Sequence, residues 1–588
     1  MSHAGSQFVP VASLAALSSA GCLVVQAGGR TIALFLHEGK VFAVDNRCPH
    51  MGFPLDRGTC GDGILTCHWH HARFDLASGG TFDLWADDLP VYPVEVRGGE
   101  VLVDVAGATD PDEHLGQRLD TGLERNIPLV IAKTTLRQLD RSGDPRELFR
   151  RGIVFGTKYR QAGWGPGLTI LTAMMNLHSA LDQDVRALAL YHGLSAVAAD
   201  CDGVPPRFAV RPLPLASSTD LATLARWFRQ FIEVRDAEGA ERCIVSAIRS
   251  GADSRQMSDM LLAAATDHRY IDTGHRLDFT NKAFEALEHS GWGLAESVLS
   301  SLADGYTGAT RMEESNAWRH PVDLVVILDN AFERLPAAIA ARKSRQSSVA
   351  DDDRILPTLL GDDPHAIAES LLDRLAAGTP PDRLASCVVS AASLRIAQFH
   401  TSNEYGDWDT ALHTFTFASA VHRCLRRNSS PELLRGVFDA AFSVYLDRFL
   451  NIPAARLPYT QAATGDPDLL LAEIKPLFDQ RHQVQPAGDL VSRYLSSGGS
   501  TQKLIAALSS ALLREDRDFH SLQMLEAAAH QATLAGDALA GHFALVAAAR
   551  YLAAHCPTSR AHLQTYRIAL RLARGDRLFD DEPAGDDG

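Results

Sequence analysis

A chain of 588 residues exceeds what one hydrophobic core supports, because single cores stop growing near ~250–300 residues. Apolar residues make up 46% and charged ones 22%, a globular balance, and the formal charge of −16 argues against nucleic acid and anionic membranes, which need clustered lysine and arginine. No apolar run approaches the ~18 residues of a membrane span, the start MSHAGSQFVP carries neither a signal peptide nor a twin-arginine motif, and the nine cysteines show no disulfide spacing; these features predict a cytoplasmic protein without nucleic-acid or membrane partners.

Residues 5–105 read as β structure. Runs such as CLVVQAGGRTIALFL, KVFAVD and PVEVRGGEVLVDV are short, β-branched and broken by Gly-Gly or charged turns. Among them lie Cys48-Pro49-His50 and, after sixteen intervening residues, Cys67-His68-Trp69-His70. This C-x-H…C-x-x-H pattern is the ligand spacing of a [2Fe–2S] centre in which Cys48 and Cys67 bind one iron and His50 and His70 the other. Zinc also takes two cysteines and two histidines, but a zinc finger expects C-x₂₋₄-C followed by paired histidines. Here each cysteine is followed by its own histidine.

The flanks, VFAVDNRCPHMGFPL and GILTCHWHHARFDLASGGTFD, resemble the Rieske ferredoxin family over residues 5–105. The resemblance implies an antiparallel β domain with two ligand loops and a cluster that exchanges single electrons. Neutral histidines in place of two thiolates raise its potential. His71 stands where the family usually has Gly and reads as a surface or supporting residue, with His68 beside it. Cys60 is not placed like the extra disulfide cysteine of respiratory Rieske proteins and reads as a small buried residue. Rieske oxygenases carry a second, β-rich domain whose iron ligands follow D-x₂-H-x₄-H. That pattern is absent: the nearest residues, Asp267, His268 and His275, have the wrong spacing.

After Asp104 the chain becomes rich in Ala, Leu and Arg, with apolar spacing of three and four that predicts helices. The expected organisation is therefore β plus α: a Rieske-type domain over 1–106, an all-α domain of repeated helical hairpins over 107–575, and an acidic disordered tail over 576–588. An exposed loop is expected at 344–353. GWGPGLT, residues 163–169, reads as a turn rather than a phosphate loop.

The helical part carries an internal repeat. HRLDFTNKAFEAL from His275, HTFTFASAVHRCL from His413 and HSLQMLEAAAHQA from His520 align without gaps, and HGLSAVAAD from His192 fits more loosely. The preceding helix ends in a histidine in three units, at His178, His268 and His400. Stacked hairpins line up equivalent positions, and converging imidazoles ligate iron, copper and zinc. His275, His413 and His520 are the candidate catalytic residues; with His178, His192, His268 and His400 they form the candidate metal-ligand set, helped by Asp272, Glu404, Asp409 or Glu526. One helical turn would put His400 and Glu404 on one face.

The Rieske resemblance, through the company such domains usually keep, together with the repeated histidines implies a monooxygenase-like oxidoreductase. Its [2Fe–2S] cluster would feed single electrons to a non-haem iron centre, mononuclear or dinuclear, that oxidises a small organic substrate with dioxygen. The chain lacks a nucleotide fingerprint, so the electrons are expected from an external donor, an NAD(P)H-dependent reductase or a ferredoxin. The alternative is an electron carrier or redox-sensing adaptor whose helical part is a docking scaffold.

Overall fold

The computed structural model describes residues 8–109, 114–160, 162–214, 219–343, 352–458, 465–536, 538–576 and 578. The expected loop at 344–353 and tail at 576–588 fall almost wholly outside the described residues. The chain divides into two compact units, 1–144 with 561–588, and 145–560. The expected boundary at 106 lies inside the first.

The first unit is built on three antiparallel sheets. One orders Cys22–Ala27, Arg30–His37, Lys40–Asp45 and Val91–Tyr92; another orders Phe8–Ser13, Glu100–Asp104 and Val94–Arg97; the third is Thr59–Gly61, Ile64–Thr66 and Arg73–Asp75. The turn between the first two strands of the larger sheet is Gly28-Gly29, at φ +57° and +75°. Two successive positive φ values match the right-handed twist of a hairpin, which glycine allows without strain. Alternation along Arg30–His37 feeds two cores. Ile32 and Leu34 pack with Val101 and Val103. Ala33 and Phe35 pack with Val44, Leu65, Phe74 and both motif cysteines. Three helices, Leu115–Glu124, Pro128–Ser142 and Ala561–Ala573, belong to this same unit.

The second unit is helical. Hairpins pair Pro166–Leu177 with Gln183–Cys201, Pro381–Ala397 with Tyr405–Arg427, and Phe519–Ala535 with Leu539–His555. His275–Ser290, Tyr405–Arg427, Phe519–Ala535 and Pro166–Leu177 pack around a common interior. That interior is charged. Lys282 Nζ lies 3.1 Å from Glu285 and 2.5 Å from Glu526, and Arg423 lies 2.6 Å from each of the same two carboxylates. Asn176 Nδ2 donates to both glutamates at 2.8 Å. One turn nearer the helix starts, Gln523 donates to Asp278. Among the described residues no helix is long and apolar enough to cross a membrane.

Two helix starts differ from the repeat reading. His275 opens its helix, and His520 is the second residue of Phe519–Ala535. His413, however, lies inside Tyr405–Arg427, because Glu404 and Asp407 form a capping box that starts the helix two turns earlier. For the same reason His400 and Glu404 do not share a helix face: His400 lies in the loop after Pro381–Ala397, and Glu404 is the cap.

Asp278 tests how tightly this interior is closed. Burial raises its carboxyl to about 7, with Lys282 and Gln523 pulling the other way. Between about pH 4 and pH 7 the folded chain holds a proton that an unfolded Asp, titrating near ~3.9, has released. The contribution of this group to stability therefore falls as pH rises through that window. Asp278→Asn removes it, so the loss of stability between pH 5 and pH 8 should be smaller in the variant, read from denaturant midpoints at both pH values.

Candidate functional site

In the first unit, the two ligand loops are built alike. The Cys48 N–H donates to Phe53 O and the Cys67 N–H to Ala72 O, both at 2.8 Å, so each loop is closed by a bond reaching five residues ahead. Gly52, at φ +86°, turns the first loop. Cys48 and Cys67 are buried at 2% and 1% exposure, and their thiols face each other. Cys67 is lowered to about 6, first by the hydrogen bond from the Cys48 thiol, then by the N–H groups of Trp69 and His70 after the opposing effect of burial. Cys48 accepts from the N–H groups of His50 and Met51. The His50 and His70 rings stand edge to face, 4.9 Å apart, with Trp85 4.6 Å from His50 and Trp69 4.5 Å from His70.

These residues fit an iron–sulfur cluster. The His50 Nδ1 is buried without a hydrogen-bond partner among the described residues, and burial, then His70 and Lys133, lowers the ring to about 4. A neutral imidazole with an unused, buried nitrogen has a lone pair free for a metal. Thiolate sulfurs that already accept backbone N–H bonds are stabilised as ligands. His71 is exposed and sits at φ +62°, the left-handed region, which is the physical reason a glycine suits this position. His68 is exposed, with its Nε2 3.0 Å from Thr59 Oγ1. Cys60 is half-buried in the strand Thr59–Gly61.

In the second unit, His275, His413 and His520 come together: one ring nitrogen from each lies within 4.8 Å of the other two. Among the described residues this is the one such cluster of three or more ligand side chains. His413 Nε2 is 2.9 Å from His520 Nε2, and the His275 and His413 rings are 4.5 Å apart. A metal at ~2.0–2.1 Å from each nitrogen needs nitrogen separations no larger than about 4.2 Å, so side-chain shifts of under an ångström would close the set. Burial, then the two neighbouring imidazoles, lowers His413 to about 3; burial also lowers His275. His275 Nδ1 donates to Asp272 O at 2.9 Å, which fixes the proton there and leaves Nε2 with its lone pair.

The segment that delivers His275 is strained. Tyr270, Asp272 and Thr273 have φ of +42°, +52° and +51°, a conformation non-glycine residues avoid. Gly274 follows at φ +91°, and a Cβ there would stand 2.8 Å from Phe417 Cβ and 2.9 Å from the Tyr270 ring, so a larger residue would push His275 off Tyr405–Arg427. Beside His413 opens a cavity of about 410 Å³, walled by Tyr270, Trp318, Leu324, Thr414, Asp447 and Leu450, among others.

The other four histidines stand apart. His192 Nε2 meets Leu513 O at 2.9 Å, His268 Nδ1 meets Glu313 at 2.8 Å, and His400 Nδ1 meets Ser402 Oγ at 2.8 Å. His178 follows Asn176, which bonds His289 at the far end of His275–Ser290. At 1.5 Å per residue that places it on the order of 20 Å from His275. The four acidic neighbours are also engaged: Asp272 with Arg276, Glu404 as a cap, Asp409 with Tyr551, Glu526 in the buried ion network. Asp267 pairs with Arg229 and Arg435. The residues missed in the sequence are Tyr270, Thr414 and Asp447 around the cavity and Lys133 beneath the first ligand loop. Asp447 and Lys133 arrive by long-range contacts that no local spacing announces, while Tyr270 and Thr414 lie beside His275 and His413 in sequence but carry no pattern that marks them as cavity walls.

The model of the Rieske [2Fe–2S] domain matches residues 7–93, and no family model matches the helical region. Among relatives, the 3-phenylpropionate/cinnamic acid dioxygenase ferredoxin subunit of Photorhabdus laumondii is 39% identical over 77 residues, 13% of this chain and 73% of that protein. The naphthalene 1,2-dioxygenase system ferredoxin component of Pseudomonas aeruginosa is 26% identical over 101 residues, 17% of this chain and 97% of its own. Among solved structures, the ferredoxin of carbazole 1,9a-dioxygenase from Nocardioides aromaticivorans IC177 matches at 29% identity and TM-score 0.16, covering 17% of this chain and 97% of that one.

Two substitutions separate ligands from neighbours in the first site. Cys67→Ala should abolish the two irons and the visible spectrum of the cluster. His71→Gly should keep both irons and relieve a left-handed strain of about 1 kcal/mol, seen by iron analysis with electron paramagnetic resonance and by thermal unfolding.

Proposed function

The chain belongs to the Rieske [2Fe–2S] family through residues 7–93, and from that premise we propose that it is an oxidoreductase with a second, histidine-held metal centre in its helical unit. The family domain carries out electron transfer. The finer reading is that His275, His413 and His520 hold a non-haem metal, that the cavity beside His413 takes an organic substrate, and that the reaction is a dioxygen-dependent oxidation.

The observation that carries this reading is the meeting of three imidazoles from helices separated by more than a hundred residues each, with the apolar cavity at His413. A docking scaffold needs neither. A [2Fe–2S] cluster held by Cys48, His50, Cys67 and His70 supplies single electrons at a potential above that of all-cysteine clusters. A metal held by three imidazoles with open positions supplies a place for dioxygen chemistry. The residues of the chain do the rest. Asp272 O fixes the tautomer of His275, burial keeps His413 neutral, and the apolar walls exclude water from the organic partner. The electrons come from an external reductase or ferredoxin, and the relatives named as dioxygenase ferredoxins support a role beside such partners.

The test is metal content. Anaerobically purified chain should carry a stoichiometric metal beyond the two irons of the cluster. His275→Ala and His413→Ala should each lose that excess and substrate-dependent oxygen uptake while the Rieske signal survives. Two irons and no other metal in the unmodified chain, or full metal in both variants, would sink the reading.

A further inference from the structure

The cavity beside His413 has a polar anchor that nothing in the proposed reaction uses. Asp447 lines it, is 5% exposed, and its Oδ2 makes no hydrogen bond among the described residues. Thr414, the residue after His413, holds the carboxyl through a side-chain hydrogen bond. The nearby cations are engaged elsewhere. Arg395 donates to Val444 O, Asn451 Oδ1 and Leu360 O, and Arg448 donates to Tyr445 O while lying over the Tyr445 and Phe449 rings at 3.7 and 4.0 Å. A buried carboxyl oxygen left without a donor is unfavourable, and an arriving donor relieves it. The rest of the wall is apolar. Tyr270 and Trp318 lie nearly parallel, 6.2 Å apart at 25°, with Leu324, Leu446 and Leu450 completing it.

We propose that this cavity binds a flat aromatic molecule carrying one neutral hydrogen-bond donor, a hydroxyl or an amine, that donates to Asp447. Aromatic and aliphatic walls favour the ring body, and a volume of about 410 Å³ lies within the range that encloses small organic ligands. The apolar walls disfavour an ionised ligand, which would lose its hydration on entry, and the carboxyl selects donors over plain hydrocarbons. Burial raises Asp447 to about 7, and a carboxyl keeps an acceptor oxygen in either protonation state. Because Thr414 holds Asp447 and adjoins His413, the donor-bearing end of the molecule lies toward the histidines. This assignment deepens the substrate class of the site proposed above, but binding itself does not depend on metal.

Equilibrium dialysis of the full chain at pH 7 against naphthalene, 2-naphthol and 2-naphthoate tests it, with and without prior chelation. The expected order is 2-naphthol tightest, by about tenfold over naphthalene, the worth of one good hydrogen bond, and 2-naphthoate weakest. Asp447→Leu should erase the preference for 2-naphthol and keep the affinity for naphthalene. Equal affinities in the unmodified chain, tightest binding of 2-naphthoate, no binding, or a preference that survives Asp447→Leu would overturn the assignment. If that variant does not fold, Trp318→Ala takes its place: it should weaken naphthalene and 2-naphthol alike, and unchanged affinities overturn the proposal. Because binding is expected with and without chelation, it does not decide the metal reading, which stands or falls on the metal content of the purified chain. Two irons and no other metal together with this order of affinities would retire that reading and leave the cavity assignment standing.

A separate observation concerns the first ligand loop. Lys133, on Pro128–Ser142, is 4% exposed and its Nζ donates to Pro49 O at 2.7 Å, between two cluster ligands. It pairs with buried Asp87, which also meets Arg118 at 3.3 Å and Arg137 at 3.9 Å. The Lys133 ammonium is thus a buried cation bonded to the backbone carbonyl of the residue next to His50. The geometry points to Lys133 as a positioning residue that raises the potential of the cluster, since reduction adds negative charge next to a cation that water screens poorly. Lys133→Met should shift the midpoint potential downward in a redox titration with both irons retained, while exposed Lys40→Met should not. Equal potentials for Lys133→Met and the unmodified chain overturn this. If Lys133→Met loses the cluster, Arg137→Gln is titrated instead; a smaller downward shift is expected, and no shift overturns the role.

Discussion

The helical unit depends on one constraint: the charges inside it must be paired. Lys282, Glu285, Arg423 and Glu526 are carried by three helices far apart in the chain, and each is nearly sealed from water. An unpaired buried charge costs several kcal/mol, whereas a slip of one residue in any of the three helices would swing its charge by about 100° and break the set. Pairing therefore acts as a register lock. With the register fixed there, the residues one to three turns toward the helix starts are fixed as well. Asp278 meets Gln523, and beyond them His275 meets His413 and His520. The histidine cluster is the open end of a locked polar interior.

This explains what the sequence disclosed and what it withheld. The cluster ligands of the first unit were legible because both loops are local devices: Cys48 with Phe53, and Cys67 with Ala72, close within five residues, so the spacing of the motif is the geometry of the site. The strands around them were legible through β-branched runs and turn glycines. The three histidines were legible in a different way, through repetition, since equivalent positions of packed hairpins meet. Repetition could not say which end of a helix a histidine occupies. His178 aligned with the pattern, yet stands at the far end of the bundle beside Asn176 and His289. Nor could it reveal that Glu526 is spent on Lys282 and Arg423 rather than available to a metal.

The helices of the first unit were illegible for a related reason. Pro128–Ser142 and Ala561–Ala573 have ordinary amphipathic patterns, and nothing in a helical period says that one partner lies more than four hundred residues away. Their role shows only in contacts: Lys133 reaches Pro49 O, and Arg47 Nη2 reaches Leu572 O at 3.0 Å. The loop that carries Cys48 and His50 is thus held from outside the β sheets as well as from within.

The turn at 270–274 shows the same logic turned toward function. Three non-glycine residues at positive φ, each worth about 1–3 kcal/mol of strain, sum to a sizeable share of a domain's ~5–15 kcal/mol stability. Such a turn persists only because its surroundings hold it. Arg276 grips Asp272 from one side, Asp272 N–H reaches Thr310 O at 2.8 Å on the other, and Gly274 lets the backbone close on Phe417. An unstrained loop would serve stability better. What the strained one achieves is to point Asp272 O at His275 Nδ1 and to bring Tyr270 into the cavity wall in the same stroke. A single short segment thereby sets the tautomer of one histidine and one face of the adjoining cavity, which binds the geometry of the metal ligands to that of whatever lies next to them.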